Sequence, residues 1–178
     1  MFFNLKRRFF IYERKWLQSQ TACPGNKYPI LYNYISPSSR EIGDKSGMGA
    51  SLNNIGAVHY YKGSYEKALE YLNKSLSIQK EIGIKAIELE TTTSLYLTYK
   101  HLGKDYDVKE IHNLIKEAEN IEFGLNLKLY QLLEDTSYLK SAYNQVQEKA
   151  DNLEPDVAAK FLSYPIPKAI VEEWEKVK

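Results

Sequence analysis

The sequence predicts an all-α fold, an array of stacked antiparallel helix hairpins closed by a helical C-terminal cap. Three observations carry this expectation. Apolar residues recur at helical spacing, about every 3.6 residues, from Leu52 to Leu153. No stretch alternates apolar and polar residues long enough to make a strand. A segment also repeats: Glu41-Ile42-Gly43-Asp44-Lys45 returns 40 residues later as Glu81-Ile82-Gly83-Ile84-Lys85, and Gly63 returns as Gly103 at the same distance. Glu122-Phe123-Gly124 is a weaker third echo. Repeats of this length mark helical units that cannot bury their apolar faces alone and therefore stack.

The first hairpin is the clearest. Leu52, Ile55, Gly56 and His59 share one helical face, as do Tyr65, Ala68, Leu69, Leu72 and Leu76. Lys62-Gly63-Ser64 lies between them. Gly63 can take the left-handed conformation that ends a helix, and Ser64 can cap the next one. Gly56 and Ala68 are small residues on the apolar faces, where they let two helices approach closely.

The run Leu52, Ile55-Gly56, His59, Gly63, Tyr65, Ala68 and Leu72 resembles the tetratricopeptide repeat (TPR) pattern. His59 departs from it where the family usually has Tyr. Ser75 stands in place of the usual Ala, and no Pro follows the second helix. The usual period is about 34 residues. The spacing of 40 found here is similar to the longer-helix variants, such as those of kinesin light chains. The resemblance implies a right-handed superhelical solenoid over residues 40–153.

Composition narrows the classes. With 178 residues, one domain is the starting expectation. Tyr is the main aromatic type at 15 copies, against 6 Phe and 2 Trp. It suits half-buried helix faces, with a packed ring and a wet hydroxyl. A net charge of +1 gives no overall bias toward nucleic acid or acidic lipid. Cys23 is the only cysteine, so no internal disulfide forms; a reducing, cytoplasmic setting is expected. No apolar run approaches the ~20 residues that span a bilayer.

Residues 1–39 read as an irregular, basic and aromatic N-terminal segment. Lys6, Arg7, Arg8, Arg14 and Lys15 face a single acid, Glu13, and Glu13-Arg14-Lys15 interrupts any apolar core of a secretory signal. Phe2, Leu5, Phe9, Tyr12 and Trp16 fall on one helical face. Such a helix can lie on an anionic membrane through residues 1–18, dock on its own domain, or cover the front of the array in this chain or in a second copy. A short helix docked on its own domain, or a disordered start, is the favoured reading. Pro24, Gly25, Pro29 and Pro37 make residues 19–39 mostly irregular.

The second hairpin is degenerate. Its first helix is expected from Lys85 to His101, with Tyr96 where the first repeat has Gly56, so this contact should be looser or reshaped. Its second helix is expected over Tyr106 to Ile121, with Val108, Ile111, Leu114, Ile115 and Ala118 on one face. A shortened third hairpin follows: Leu125 to Leu133, a capping turn at Asp135-Thr136-Ser137, then Tyr138 to Leu153. Residues 154–178 are the cap. Pro155 opens a short helix to Leu162, Tyr164 to Pro167 should be extended or turning, and Pro167 opens a last helix through Ile170, Val171 and Trp174.

Signals for chemistry are weak. Gly43, Gly47 and Gly49 cluster, but not in the order of a phosphate-binding loop. His59, His101 and His112 lack metal-ligand spacing. His59 reads as a satisfied packing histidine, and Glu70, Glu88, Glu90 and Glu134 as solvated surface charges. Asn73-Lys74-Ser75 is a glycosylation sequon by letter, but mid-helix. No basic stripe suits a nucleic-acid backbone. No catalytic residue, metal or cofactor is expected.

Recognition remains. The TPR resemblance implies that the first helix of each hairpin lines a concave wall. Carried onto this sequence, the partner-binding residues are Asn53, Asn54, Ala57, Tyr60 and Tyr61, then Glu90, Thr93, Ser94, Leu97, Lys100 and His101. The family's chaperone-tail binders use a basic, Asn-containing cluster. Asn53 and Asn54 are present, but their helix lacks the basic partners. The expected function is a protein–protein interaction module, an adaptor or scaffold binding a protein or peptide, with self-association open. The alternative comes from the tail. Ala142-Tyr143, Phe161-Leu162, Pro165-Ile166-Pro167, Ile170 and Trp174 resemble the closing segment of helical-repeat regions in large bacterial signalling proteins. That resemblance implies a regulatory tail, or a free-standing relative, controlling a separate cyclase, kinase or ATPase.

Overall fold

The computed structural model describes residues 45–178. The N-terminal segment 1–39, with its aromatic face, and the motif from Glu41 to Asp44 lie outside the described residues. Among the described residues there are eight α-helices and no strand: α1 Lys45–Tyr61, α2 Tyr65–Ile82, α3 Lys85–Leu102, α4 Val108–Glu117, α5 Phe123–Leu133, α6 Thr136–Asp151, α7 Pro155–Ser163 and α8 Pro165–Val177. No described helix is long and apolar enough to cross a membrane. The chain divides into two compact units between Glu119 and Asn120.

In the unit formed by α1 to α4, the antiparallel pair α1–α2 closes as its small residues require. Ala68 and Leu72 are fully buried. A Cβ on Gly56 would come within 2.7 Å of Leu72 Cγ, so only glycine fits that approach. The turns end on glycines with positive φ, Gly63 at 74°, Gly83 at 77° and Gly103 at 66°, where an L side chain would be strained. Ser64 contributes its backbone carbonyl, which accepts from the Ala68 amide at 3.0 Å, but its side chain makes no cap bond. Asp107 does cap: its carboxylate accepts from the amides of Lys109 at 2.8 Å and Glu110 at 3.3 Å. That cap starts α4 at Val108, and Ala118 turns extended, so α4 is shorter than the expected Tyr106 to Ile121.

The second hairpin is indeed reshaped at Tyr96. The ring lies between Tyr99 and Tyr106, with centroids 5.9 and 5.4 Å away. Its hydroxyl donates to the Glu110 carboxylate on α4, and Lys80 on α2 donates to the same carboxylate at 3.0 Å. Three helices are thus joined where the first hairpin has glycine contact. Glu88 is buried rather than solvated, at 5% exposure, and its carboxylate pairs with Lys85 at 3.0 Å.

In the unit formed by α5 to α8, α6 is central and packs against the other three helices. Leu127, Leu139, Ala142, Val146, Ala150, Phe161 and Ile170 make one core. Asp135 accepts from the Ser137 amide at 2.8 Å, the expected capping turn. Asn126 and Gln145 both donate to the Ile121 carbonyl, at 2.9 and 2.8 Å, which fixes the chain entering α5. α5 and α6 share this core with α7 and α8. The segment around Ile166 also differs from expectation. Pro165 and Pro167 both sit in the first turn of α8, where no backbone N–H is needed, so Ile166 is helical between them.

Candidate interaction surface

The turn between α1 and α2 brings a group of rings together. Gly63 in its left-handed conformation lets the Ser64 amide donate to the His59 carbonyl, and the Gly63 amide donate to the Tyr60 carbonyl, both at 2.9 Å. The chain therefore reverses within three residues and sets Tyr65 beside Tyr60. The end of α3 adds His101. Tyr60 is the hub, with centroids at 5.4 Å from Tyr61, 5.8 Å from Tyr65 and 5.5 Å from His101. Tyr65 and His101 approach to 4.8 Å. Edge contacts dominate, as favoured between ring quadrupoles. The tyrosines are half-buried and His101 is exposed. Exposed Lys62, Lys67, Lys104, Glu66 and Asp105 surround the two turns.

The expected residues separate into two groups. Tyr60, Tyr61 and His101 are brought together. Lys100 precedes His101 and is half-buried; Ala57 is half-buried and Asn54 exposed, and both lie at helical spacing below Tyr61. Glu90 is half-buried, and its carbonyl accepts the Ser94 hydroxyl at 3.0 Å. Asn53, Thr93, Ser94 and Leu97 do not stand on an open wall, because all four are buried. For the three on α3 the reason is that every residue of the helix from Thr91 to Thr98 is buried, leaving no exposed face over those two turns. The Thr93 hydroxyl is occupied locally, donating to the Leu89 carbonyl at 2.7 Å.

Tyr65 belongs to the cluster but was read as a packing residue of the hairpin. Its place at the first position after the Gly63 turn, facing back on Tyr60, was the available signal. His59, one residue before Tyr60, stacks flat on Tyr71 with centroids 5.4 Å apart. Its Nδ1 is buried without a hydrogen-bond partner in the protein. Burial, aided by Lys62 and Lys67, holds its pKa below the ordinary imidazole value.

The arrangement offers flat aromatic contact area with polar edges, which suits recognition at low side-chain entropy cost. Among the described residues no group of His, Cys, Asp and Glu side chains is set to hold a metal ion. In comparisons with known proteins, no family model, curated protein or solved structure matches this chain.

Proposed function

We propose that this chain is a protein–protein interaction module, an adaptor or scaffold whose TPR-like hairpins form a right-handed solenoid in the cytoplasm. The partner is a protein or peptide, taken on the aromatic surface at the turn end of α1, α2 and α3. The observation that carries the reading is the convergence of Tyr60, Tyr61, Tyr65 and His101 from three helices on a partly exposed cluster. Burying half-exposed tyrosines against a partner adds apolar area without freezing many rotors. Asn54 and Ala57 extend the surface down α1.

The test is affinity capture with the full chain, wild type against a Tyr60→Ala/His101→Ala double variant, read by mass spectrometry after circular dichroism has confirmed helical folding. A partner retained by the wild type and lost by the variant supports the reading. A binder that the folded variant holds equally well places recognition elsewhere and sinks it.

A second reading has its own observation. Ala142, Tyr143, Phe161, Leu162, Ile170 and Trp174, six of the residues that resemble the tail of bacterial signalling proteins, share one core in the unit formed by α5 to α8, with Tyr143 stacked on Trp174 at 5.6 Å. In that reading the partner is a separate cyclase, kinase or ATPase. Co-expression with such an enzyme encoded next to this chain, and a change in its turnover, would favour it.

A further inference from the structure

The interior of the unit formed by α1 to α4 is not uniformly apolar. Asn53 is 6% exposed, and Gln79, Thr91 and Thr92 are fully buried. Between them they bury Asn53 Oδ1, both amide atoms of Gln79 and the hydroxyls of Thr91 and Thr92, none with a hydrogen-bond partner in the protein. Leaving that many buried polar atoms unpaired would cost a sum comparable with the whole stability of a small domain.

The helix register sets these residues within about one turn of a common level. Gly56 opposite Leu72 and Gly49 opposite Gln79 fix the antiparallel register of α1 and α2, which sets Asn53 across from Ser75. The Ser75 hydroxyl donates to the Gly49 carbonyl at 2.7 Å in the same stretch. Counting equal distances from the Gly83-Ile84 turn sets Thr91 and Thr92 level with Ser75 on α3. A polar seam therefore crosses all three helices. Gly49 is part of it, because a Cβ there would fall 2.5 Å from Gln79 Nε2.

The threonines give the sharpest sign. On the same helix the hydroxyls of Thr93, Ser94 and Thr98 bond back to the carbonyls of Leu89, Glu90 and Ser94. That local partner is the usual resort of a buried hydroxyl on a helix. Thr91 and Thr92 do not use it, and neither hydroxyl has another partner in the protein.

We propose that the seam is an internal water site, in which ordered water bridges Asn53, Gln79, Thr91 and Thr92 across α1, α2 and α3. Water suits this donor and acceptor set. It gives two hydrogens to Asn53 Oδ1, Gln79 Oε1 or a hydroxyl, and accepts from Gln79 Nε2 and the hydroxyls. The bridges fix the relative position of three helices without a rigid apolar interlock.

The experiment is water oxygen-17 magnetic relaxation dispersion on the full chain, which counts long-lived internal waters, with thermal melting alongside. The variants are Thr91→Val, Thr92→Val and Gln79→Leu, with Thr93→Val as control. Valine matches threonine in shape, so these variants keep the fold, which circular dichroism checks. The expected result is a lower dispersion amplitude and a lower Tm in the first three and an unchanged amplitude in the control. An amplitude unchanged by all three, an equal drop in the control, or valine variants at Thr91 and Thr92 that melt above wild type each overturns the proposal. The last outcome would mean that the hydroxyls are truly unpaired, since removing an unpaired buried hydroxyl stabilises.

Discussion

Gly56 and Leu72 are in such close apposition that a Cβ on Gly56 would lie 2.7 Å from Leu72 Cγ and 3.3 Å from the Leu72 amide nitrogen. Cγ is too near the backbone to swing aside, so α1 and α2 must separate to admit even alanine. Alanine gains about 1 kcal/mol of helix propensity over glycine. Overpacking outweighs it, and Gly56→Ala should destabilise by about 1–2 kcal/mol net. Gly124, in the first turn of α5, has open space around its Cβ position. Gly124→Ala should therefore stabilise by up to about 1 kcal/mol. Chemical denaturation of both variants checks the contrast. The same sign for both would mean that the helix contact at Gly56 is not close.

The Tyr96–Glu110–Lys80 group predicts a dependence on pH at both ends of the scale. Burial opposes ionisation of Glu110, but the hydrogen bonds from Tyr96 and Lys80 prevail and hold its pKa below the ordinary 4.5. Between those values the unfolded chain binds the extra proton. Stability from this carboxylate is thus complete above 4.5 and is lost as pH falls through the folded value. For Tyr96, burial first and then the Glu110 carboxylate raise the phenol well above its ordinary 10.0. Here the unfolded chain loses its proton first, so stability declines as pH climbs past 10.0. Tyr96→Phe should reduce the alkaline loss, leaving the part due to Tyr130 and Tyr138, whose pKa values burial also raises, and cost about 1 kcal/mol at neutral pH. Melting curves against pH check it, and an alkaline limb identical to wild type would be a failure.

His59 gives a second acid-side effect. Its pKa lies below 6.5 because of burial and the nearby Lys62 and Lys67, with Glu70 opposing. Above 6.5 both states are neutral; as pH falls below it the unfolded chain takes up a proton that the folded one resists, and stability drops. His59→Phe keeps the stack on Tyr71 and removes the buried Nδ1. Stability should become flat over the pH range just below 6.5. A slope persisting in the variant would assign the effect to another group.

Glu134 is the only non-glycine residue with positive φ among the described residues, at 60°. It ends α5 in the left-handed conformation that Gly63, Gly83 and Gly103 use elsewhere. Glu134→Gly should stabilise by about 1 kcal/mol. A fall in Tm would show that the side chain contributes more than its backbone strain costs.

The parts of this structure that the sequence discloses are local. Gly63 and Gly103 mark their turns because few residues tolerate positive φ, and Gly56 marks a close approach because a face of larger residues makes its size conspicuous. Asp135 reveals its cap by standing directly before a periodic run. What stayed hidden depends on neighbours remote in sequence. Thr93, Ser94 and Leu97 read as an open wall because the TPR resemblance puts that face of the first helix on the concave side, whereas α3 is buried on every side from Thr91 to Thr98. Glu88 looked solvated because its local pair with Lys85 fits an exposed first turn, and its burial comes only from the packing around α3. The same holds for the candidate surface: Tyr60, Tyr61 and His101 were legible, and Tyr65 was masked by its plausible role as packing.

The carbonyl-bonded hydroxyls of Thr93, Ser94 and Thr98 bear on mutational tolerance. Each of these side chains has its polar atom neutralised by its own helix. To the surrounding helices such a side chain presents little but hydrocarbon and shape. In a saturation scan, these positions should accept valine or alanine of similar bulk and reject charge. The apparent polarity of α3 at these three positions is then an accident of spelling, and they are free to drift toward apolar residues while the packing is conserved.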